Sequence, residues 1–381
     1  MTMPRLLLGL LVSALDPLTQ GAGSCTACHQ QIVATFTQTA HFRTSAEATA
    51  RSVKGPFAAG HNLLRTGSEG VYFKMERRNG AFYQTGVDSA RGRSTTERID
   101  VVVGSGRRGQ SYLFWKAGLL FELPVSYLSG IGAWINSPGY HDGEVDFGRL
   151  IVPRCLECHA TAFTLYRDRG ALRYSRDYAL GISCEKCHGA GQEHVQYHSS
   201  HPAEAVGKYV LNPARLPRDR QLDICALCHS GERDPKRPPF SYRPGAKLDD
   251  YVVPPSAREA PIPDVHGNQV GLLQRSKCFR SSPEMSCSTC HDVHQPERDV
   301  AQFAQKCLAC HKTSQHRMAD KIGDRMMTDC IDCHMPNRKS NAIQIDTPTR
   351  RFALYYRSHA IGIYPAVAAM VLNSHKATEN R

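Results

Sequence analysis

The sequence predicts a mainly α and irregular fold with one small β-rich insert. Three observations predict it. The pattern Cys-x-x-Cys-His occurs seven times in 381 residues. The chain between most copies is short, which suits small helices and loops. One motif-free stretch, 61–150, is instead aromatic, partly alternating and punctuated by turn signals.

The copies are CTACH ending at His29, CLECH at His159, CEKCH at His188, CALCH at His229, CSTCH at His291, CLACH at His311 and CIDCH at His334. They use fourteen of the fifteen cysteines. Each reads as a covalent c-type haem site. Two thiols add to the two vinyl groups of one porphyrin, and the next residue supplies an axial imidazole to the iron. Positions i, i+3 and i+4 share one face of a helical turn, so all three groups meet one ring edge. The cofactor-binding residues are therefore Cys25, Cys28, Cys155, Cys158, Cys184, Cys187, Cys225, Cys228, Cys287, Cys290, Cys307, Cys310, Cys330 and Cys333. The proximal iron ligands are His29, His159, His188, His229, His291, His311 and His334. Zinc ribbons also use paired CxxC units, but zinc does not require a histidine directly after the second cysteine. Seven covalent haem c groups must supply much of the apolar core of so short a chain. The expected architecture is thus a multihaem cytochrome c fold built around stacked haems.

The formal charge of +12 alone suggests an acidic partner. Each haem brings two propionates, and ferric iron leaves roughly +1 on its porphyrin core, so seven oxidised haems contribute roughly −7. The basic residues form no tract, so the charge reads as compensation for propionates and no nucleic-acid partner is expected.

Residues 1–24 read as a secretory signal: a basic start, the apolar run LLLGLLVSAL and small residues before Cys25. That run is too short to span a membrane, and so is Ala360 to Leu372 with its internal Pro365. A periplasmic or extracellular protein that does not span the membrane is expected. Residues 25–60 form an N-terminal single-haem segment, 61–150 the haem-free β insert, and 151–233 a three-haem segment. Residues 234–275 form a Pro-rich linker, 276–360 a second three-haem segment and 361–381 a C-terminal tail.

Within the insert, Gly70 to Asp88 carries Asn79-Gly80, a strong short hairpin signal. Arg98 to Val103 reads as a strand, and Ser111 to Tyr127 as a hairpin turning at Ala117-Gly118. Gly104, Gly106 and Gly109 match a dinucleotide-binding fingerprint, but the next residues, SYLFWKAGLLFEL, read as strand-turn-strand and not as the helix such a site needs.

Eleven histidines lie outside the motifs. The two axial imidazoles of one haem occupy opposite ring faces. A histidine three residues beyond a proximal one cannot reach the far face of the same ring, so His294 is expected to bind a neighbouring haem. The same holds for His194, where Gly189 and Gly191 allow a sharp turn. The other distal candidates are His41, His61, His266, His316 and His359, making one for each iron. His141, His198, His201 and His375 are left over, and Met285 and Met335 are alternative ligands near motifs.

At this point CEKCHGAGQEH resembles the CxxCHGxGxxH stretch of multihaem cytochromes related to hydroxylamine oxidoreductase, its tetrahaem electron acceptor and pentahaem nitrite reductase. CSTCHDVH, CIDCHMP and a later histidine such as His359 are similar to a branch of exported multihaem cytochromes. VGSG (Val103 to Gly106), SYL (Ser111 to Leu113), SPGY (Ser137 to Tyr140) and Cys278-Phe279 also resemble that branch. The resemblance implies stacked haem pairs, mostly bis-His ligation and electron transfer. It gives the distal role to His194, His266, His294, His316 and His359, with His41 a looser match and His61 looser still. No CxxCK motif is present, so the Lys-ligated haem of nitrite reductase is missing. No counterpart of the oxidoreductase's cross-linking tyrosine segment is evident.

The expected function is electron transport between redox partner proteins, by a carrier more than a catalyst. An alternative is a multihaem oxidoreductase acting on a small nitrogen or sulfur oxyanion at one haem with an open axial site. A third is a self-associating subunit of a conductive filament or conduit. Cys278, the cysteine outside the motifs, is either a buried inert thiol or a group acting near a haem. Mass spectrometry of the purified protein tests the cofactor reading: seven attached haems add about 4.3 kDa to the polypeptide, roughly 0.6 kDa each, and an unmodified mass contradicts it.

Overall fold

The computed structural model describes residues 21–254, 267–297, 299–346 and 351–379. Most of the expected signal segment and residues 255–266 of the Pro-rich linker, including His266, lie outside the described residues.

The haem-free stretch forms two antiparallel sheets. One runs in the order β2 (Leu63–Arg65), β3 (Val71–Arg78), β4 (Ala81–Asp88), β5 (Arg93–Ile99). The other begins earlier than the sequence suggests. Its order is β1 (Ser45–Glu47), β6 (Val101–Val103), β7 (Gly109–Lys116), β9 (Val125–Leu128), β10 (Ala133–Asn136), with β8 (Leu119–Glu122) also on β7. Both expected hairpin turns form. Asn79 and Gly80, like Ala117 and Gly118, hold positive φ at both central positions, as the tightest two-residue turns require. The glycine-rich run after β6 is a turn into β7 and no helix follows it. Inward side chains of both sheets share one core, among them Phe73, Met75, Ile99, Tyr112, Phe114 and Val125.

A second hairpin, β11 (Ala160–Asp168) and β12 (Ala171–Leu180), packs Phe163 and Tyr174 onto Val101, Leu113 and Leu120 of the insert. The CLECH helix Pro153–His159 leads straight into β11, and β12 ends just before CEKCH. One rigid hairpin therefore delivers two motifs. A third hairpin, β13 (Asn337–Asp346) and β14 (Arg351–Arg357), starts just after CIDCH and returns the chain to His359.

The expectation of a mainly α chain is corrected by these sheets. Helix accounts for about 30% of the described residues and strand for about 25%. The two later hairpins lie between and after motifs, where short spacing suggested only helices and loops. The helices themselves are short, most of them one or two turns around a motif; the Arg218–His229 helix reaches 12 residues.

The motif turns have the expected geometry. The backbone N–H of His29, His188, His291 and His311 each donates to the carbonyl of the first cysteine of its own motif at 2.9 Å, closing one helical turn.

The side-chain core is unevenly distributed. Among the described residues, the large side chains with almost no exposure, from Phe73 to Leu248, all precede the last three motifs. The C-terminal three-haem segment builds no comparable core of its own, although hydrophobic burial is the main stabilising term in folding. Full-length chain made without haem attachment is expected to keep the insert folded and lose the rest. Limited proteolysis then yields a protected fragment spanning about 45–150 and rapid cutting within 276–360; equal protection of both regions contradicts this.

Candidate haem-binding site

A cavity of about 3330 Å³ runs through the haem-free sheets' neighbouring segments. It is several times the roughly 300–1,000 Å³ of an ordinary small-molecule cleft. Every cysteine and histidine of the seven motifs lines it except Cys155. His41, His194, His294, His316 and His359 line it too.

These histidines are paired across open space. His29 faces His194 with ring centroids 6.2 Å apart, and His188 faces His294 at 6.1 Å. His229 faces His41 at 6.1 Å, His291 faces His359 at 6.0 Å, and His334 faces His316 at 6.0 Å. Each pair joins one motif histidine to one expected distal histidine. A metal–imidazole bond of roughly 2.0 Å, plus about 1.1 Å from nitrogen to ring centre, doubled, gives about 6.2 Å. The separations are those of two imidazoles on opposite sides of one iron. His294 and His194 both face a motif other than the one they follow.

The imidazoles are prepared as neutral ligands. Burial, then the neighbouring His41, His359 and His291, lowers His229 to about 4. Burial and His291 lower His359 to about 4, and the same two causes lower His41. A neutral ring keeps a lone pair for a metal at neutral pH. Several rings are fixed through the other nitrogen. Nδ1 of His188 bonds the Leu211 carbonyl at 2.8 Å, that of His334 the Gly362 carbonyl at 2.8 Å, and that of His194 the Lys208 carbonyl at 2.7 Å. Nδ1 of His159 meets Thr44 Oγ1 at 2.9 Å. Nδ1 of His291 instead meets a carboxylate, Glu297 Oε2, at 2.9 Å. An Nδ1–H donated to these acceptors leaves Nε2 for the iron.

Thiols of different motifs touch. Cys25 is in hydrogen-bonding contact with Cys184, Cys158 with Cys228, Cys225 with Cys287, and Cys307 with Cys330. In each pair the contact pulls one thiol below its ordinary range and raises its partner. Cys307 also feels the charges of Cys290 and Cys278. The contacts string the motifs into one path: His29, His188, His229, His291, His311, His334, with the His159 motif joined at Cys228. The links at Cys187 to Cys225 and Cys290 to Cys307 are electrostatic neighbours, without a direct thiol bond.

These donors, apolar spacings and paired rings fit covalently held haems. The family model for cytochrome c554 and c-prime matches residues 141–189, which hold the CLECH and CEKCH motifs. The chain is similar to multihaem c-type cytochromes. It is 23% identical over 259 residues to the C-type polyheme cytochrome OmcC of Geobacter sulfurreducens, covering 60% of this chain and 32% of that protein. It is 24% identical over 205 residues to the multiheme cytochrome MtrA of Shewanella baltica, covering 51% of this chain and 49% of that one. The chain thus spans a third to a half of the length of these relatives. The crystal structure of outer cell wall cytochrome OcwA superposes with a TM-score of 0.57 at 16% identity, over 92% of this chain and 81% of that one, a likeness of fold. The fourteen motif cysteines and seven motif histidines are the donors that haem c and its iron would take in this chain. Among its described residues no helix is long and apolar enough to cross a membrane.

Two expected ligands stand apart. His61 is exposed on the insert, does not line the cavity, and its carbonyl accepts the Trp134 indole at 3.0 Å. His266 lies outside the described residues. Of the leftover histidines, His198 and His201 sit on the Gln192–Ser200 helix and just past it, beside His194 and Tyr197. Sequence reasoning missed the partners of the ring nitrogens, Thr44 and Glu297. Glu297 lies six residues past His291 with no motif to announce it.

The carboxylate on His291 would make that imidazole a stronger donor to a haem iron than its carbonyl-bonded counterparts, and so would favour the ferric state. Glu297→Gln is expected to raise one midpoint potential by roughly 30–60 mV, the equivalent of about 1 kcal/mol for one electron, in a spectroelectrochemical titration. An unchanged set of potentials contradicts the assignment.

Proposed function

We propose that this cytochrome is an exported heptahaem electron carrier. Electrons pass between redox partner proteins along closely spaced haems, most of them held between two histidines. The proximal ligands are the seven motif histidines, and His41, His194, His294, His316 and His359 are distal ligands. The observation that carries this reading is the set of five histidine pairs at 6.0–6.2 Å. The thiol contacts support an order in which the CTACH haem leads through CEKCH, CALCH, CSTCH and CLACH to CIDCH, with CLECH branching at CALCH. An iron held on both faces has no position for substrate, so such a haem stores and passes electrons while the surrounding protein tunes its potential. Export agrees with residues 1–24 and with the name of the outer cell wall cytochrome that shares the fold. The haem-free sheets act as the scaffold: Ser45 Oγ donates to the His159 carbonyl at 2.5 Å, and the Ile182 N–H donates to the His41 carbonyl at 3.0 Å. These bonds hold the second and third motifs to the segment 41–45 at the sheet edge.

The distal assignments have a specific test. His294→Ala is expected to create one additional high-spin ferric haem, and that haem is the one on Cys184 and Cys187, not the one on the motif His294 follows. The new signal is therefore lost in the triple variant with Cys184→Ala and Cys187→Ala, and kept when Cys287 and Cys290 are replaced. A His294→Ala protein with an unchanged spin state, or a signal that follows Cys287 and Cys290, overturns the cross-ligation.

A further inference from the structure

Among the described residues, five motif histidines face a ring from the expected distal set and His311 faces none, while the His159 ring is held by Thr44. Two expected distal histidines remain, His61 and His266. His61 is exposed and off the cavity. The surroundings of the two motifs differ. The His159 motif sits against the insert core, with Leu156 and Ala160 fully buried. The chain flanking the linker's undescribed part is anchored close to it. Val252 and Val270 both pack with Ala226 and Leu227, and the Leu227 carbonyl accepts from Arg154 and lies 3.9 Å from the Cys158 sulfur. Gly267 leads into the Gln269–Gln274 helix on the His159 side of the molecule.

The His311 motif is the open one of the pair. His311 and Cys310 are exposed, and among the described residues no histidine ring stands opposite His311. Lys306, Lys312 and Arg317 all line the cavity around this motif and are all exposed, and none of the three is in an ion pair among the described residues. The nearby carboxylate Asp329 is bridged by Arg325 at 3.4 Å. We propose that the haem on Cys307, Cys310 and His311 keeps an exchangeable sixth position and that Lys306, Lys312 and Arg317 direct small anions to it. This deepens the electron-carrier reading and rests on haem attachment at that motif. The CSTCH and CIDCH haems on either side would make it a redox-accessible binding site on the path and not at its dead end. Cationic side chains at the mouth of a partly dry cavity raise the local concentration of anions and steer them inward.

The test uses the purified holoprotein with azide and carbon monoxide as probes. A haem count by mass is made first, so failed attachment is distinguished from failed binding. The ferric protein is expected to show about one high-spin haem of its seven and to bind about one azide, and the ferrous protein about one carbon monoxide. The double variant Lys306→Glu with Lys312→Glu is expected to bind azide roughly tenfold more weakly and neutral carbon monoxide unchanged. Fully low-spin protein with no uptake of either probe overturns the proposal. Azide uptake indifferent to both charge reversals also overturns it, because the open haem then lies elsewhere. A thiolate charge-transfer band that disappears in Cys278→Ser overturns it in a third way, by showing the sixth position filled by that thiol.

Discussion

The structure depends on pairs of imidazoles held about one iron's width apart by segments remote in sequence. His41 and His229 are separated by most of the N-terminal half of the chain, and His291 and His359 by a whole hairpin, yet their rings stand 6.1 and 6.0 Å apart. No direct contact between the rings explains such spacing. Stacked or edge-on aromatic pairs are attractive at these distances, but worth only about 0.5–1.5 kcal/mol. A metal bridging two neutral imidazoles supplies far more and fixes both ligand segments at once. Cofactor attachment and tertiary closure are then one event, and the local helices need only be long enough to present a Cys-x-x-Cys-His turn.

That constraint divides the chain into two kinds of matter. The insert folds by ordinary rules: alternating strands, two-residue turns at Asn79-Gly80 and Ala117-Gly118, and a buried core around Phe73, Met75 and Tyr112. The haem-bearing segments obey a different rule. Their motif cysteines and histidines surround a cavity of about 3330 Å³ that porphyrins would fill, in place of a core of large side chains. The two kinds meet along residues 39–47 and at the β11–β12 hairpin. Gly181 marks how tightly they meet: its φ is +68°, and a Cβ there would stand 2.1 Å from the Phe42 carbonyl. Glycine is required where a left-handed backbone and a close carbonyl coincide.

Much of the site was legible in the sequence because covalent haem attachment imposes a rigid spacing. The seven motifs, the helical turn within each and the facing of His194 and His294 toward motifs other than the ones they follow were open to reasoning from local stereochemistry. The insert's hairpins were legible from Asn79-Gly80 and from alternating aromatics. The balance of helix and strand was not. β11 and β12 alternate Phe163 and Leu165 with polar residues around an Arg169-Gly170 turn, but they sit between two motifs whose spacing points to helices. His61 carried no local sign that its segment would be pinned to the outer face of the insert by Trp134. Nor could composition reveal that Glu297 would reach the ring of His291, since that contact depends on the turn closed by Asp292 to Glu297.

The central claim is that iron sits between the facing imidazoles and joins distant parts of the chain. Crystals of the haem-loaded protein measured at the iron absorption edge test it directly, because anomalous scattering locates each metal without reference to any prior coordinates. The account predicts seven iron peaks, five of them midway between the paired rings of His29 and His194, His41 and His229, His188 and His294, His291 and His359, and His316 and His334. Fewer peaks, or peaks displaced from those midpoints with the distal rings turned away, would contradict it.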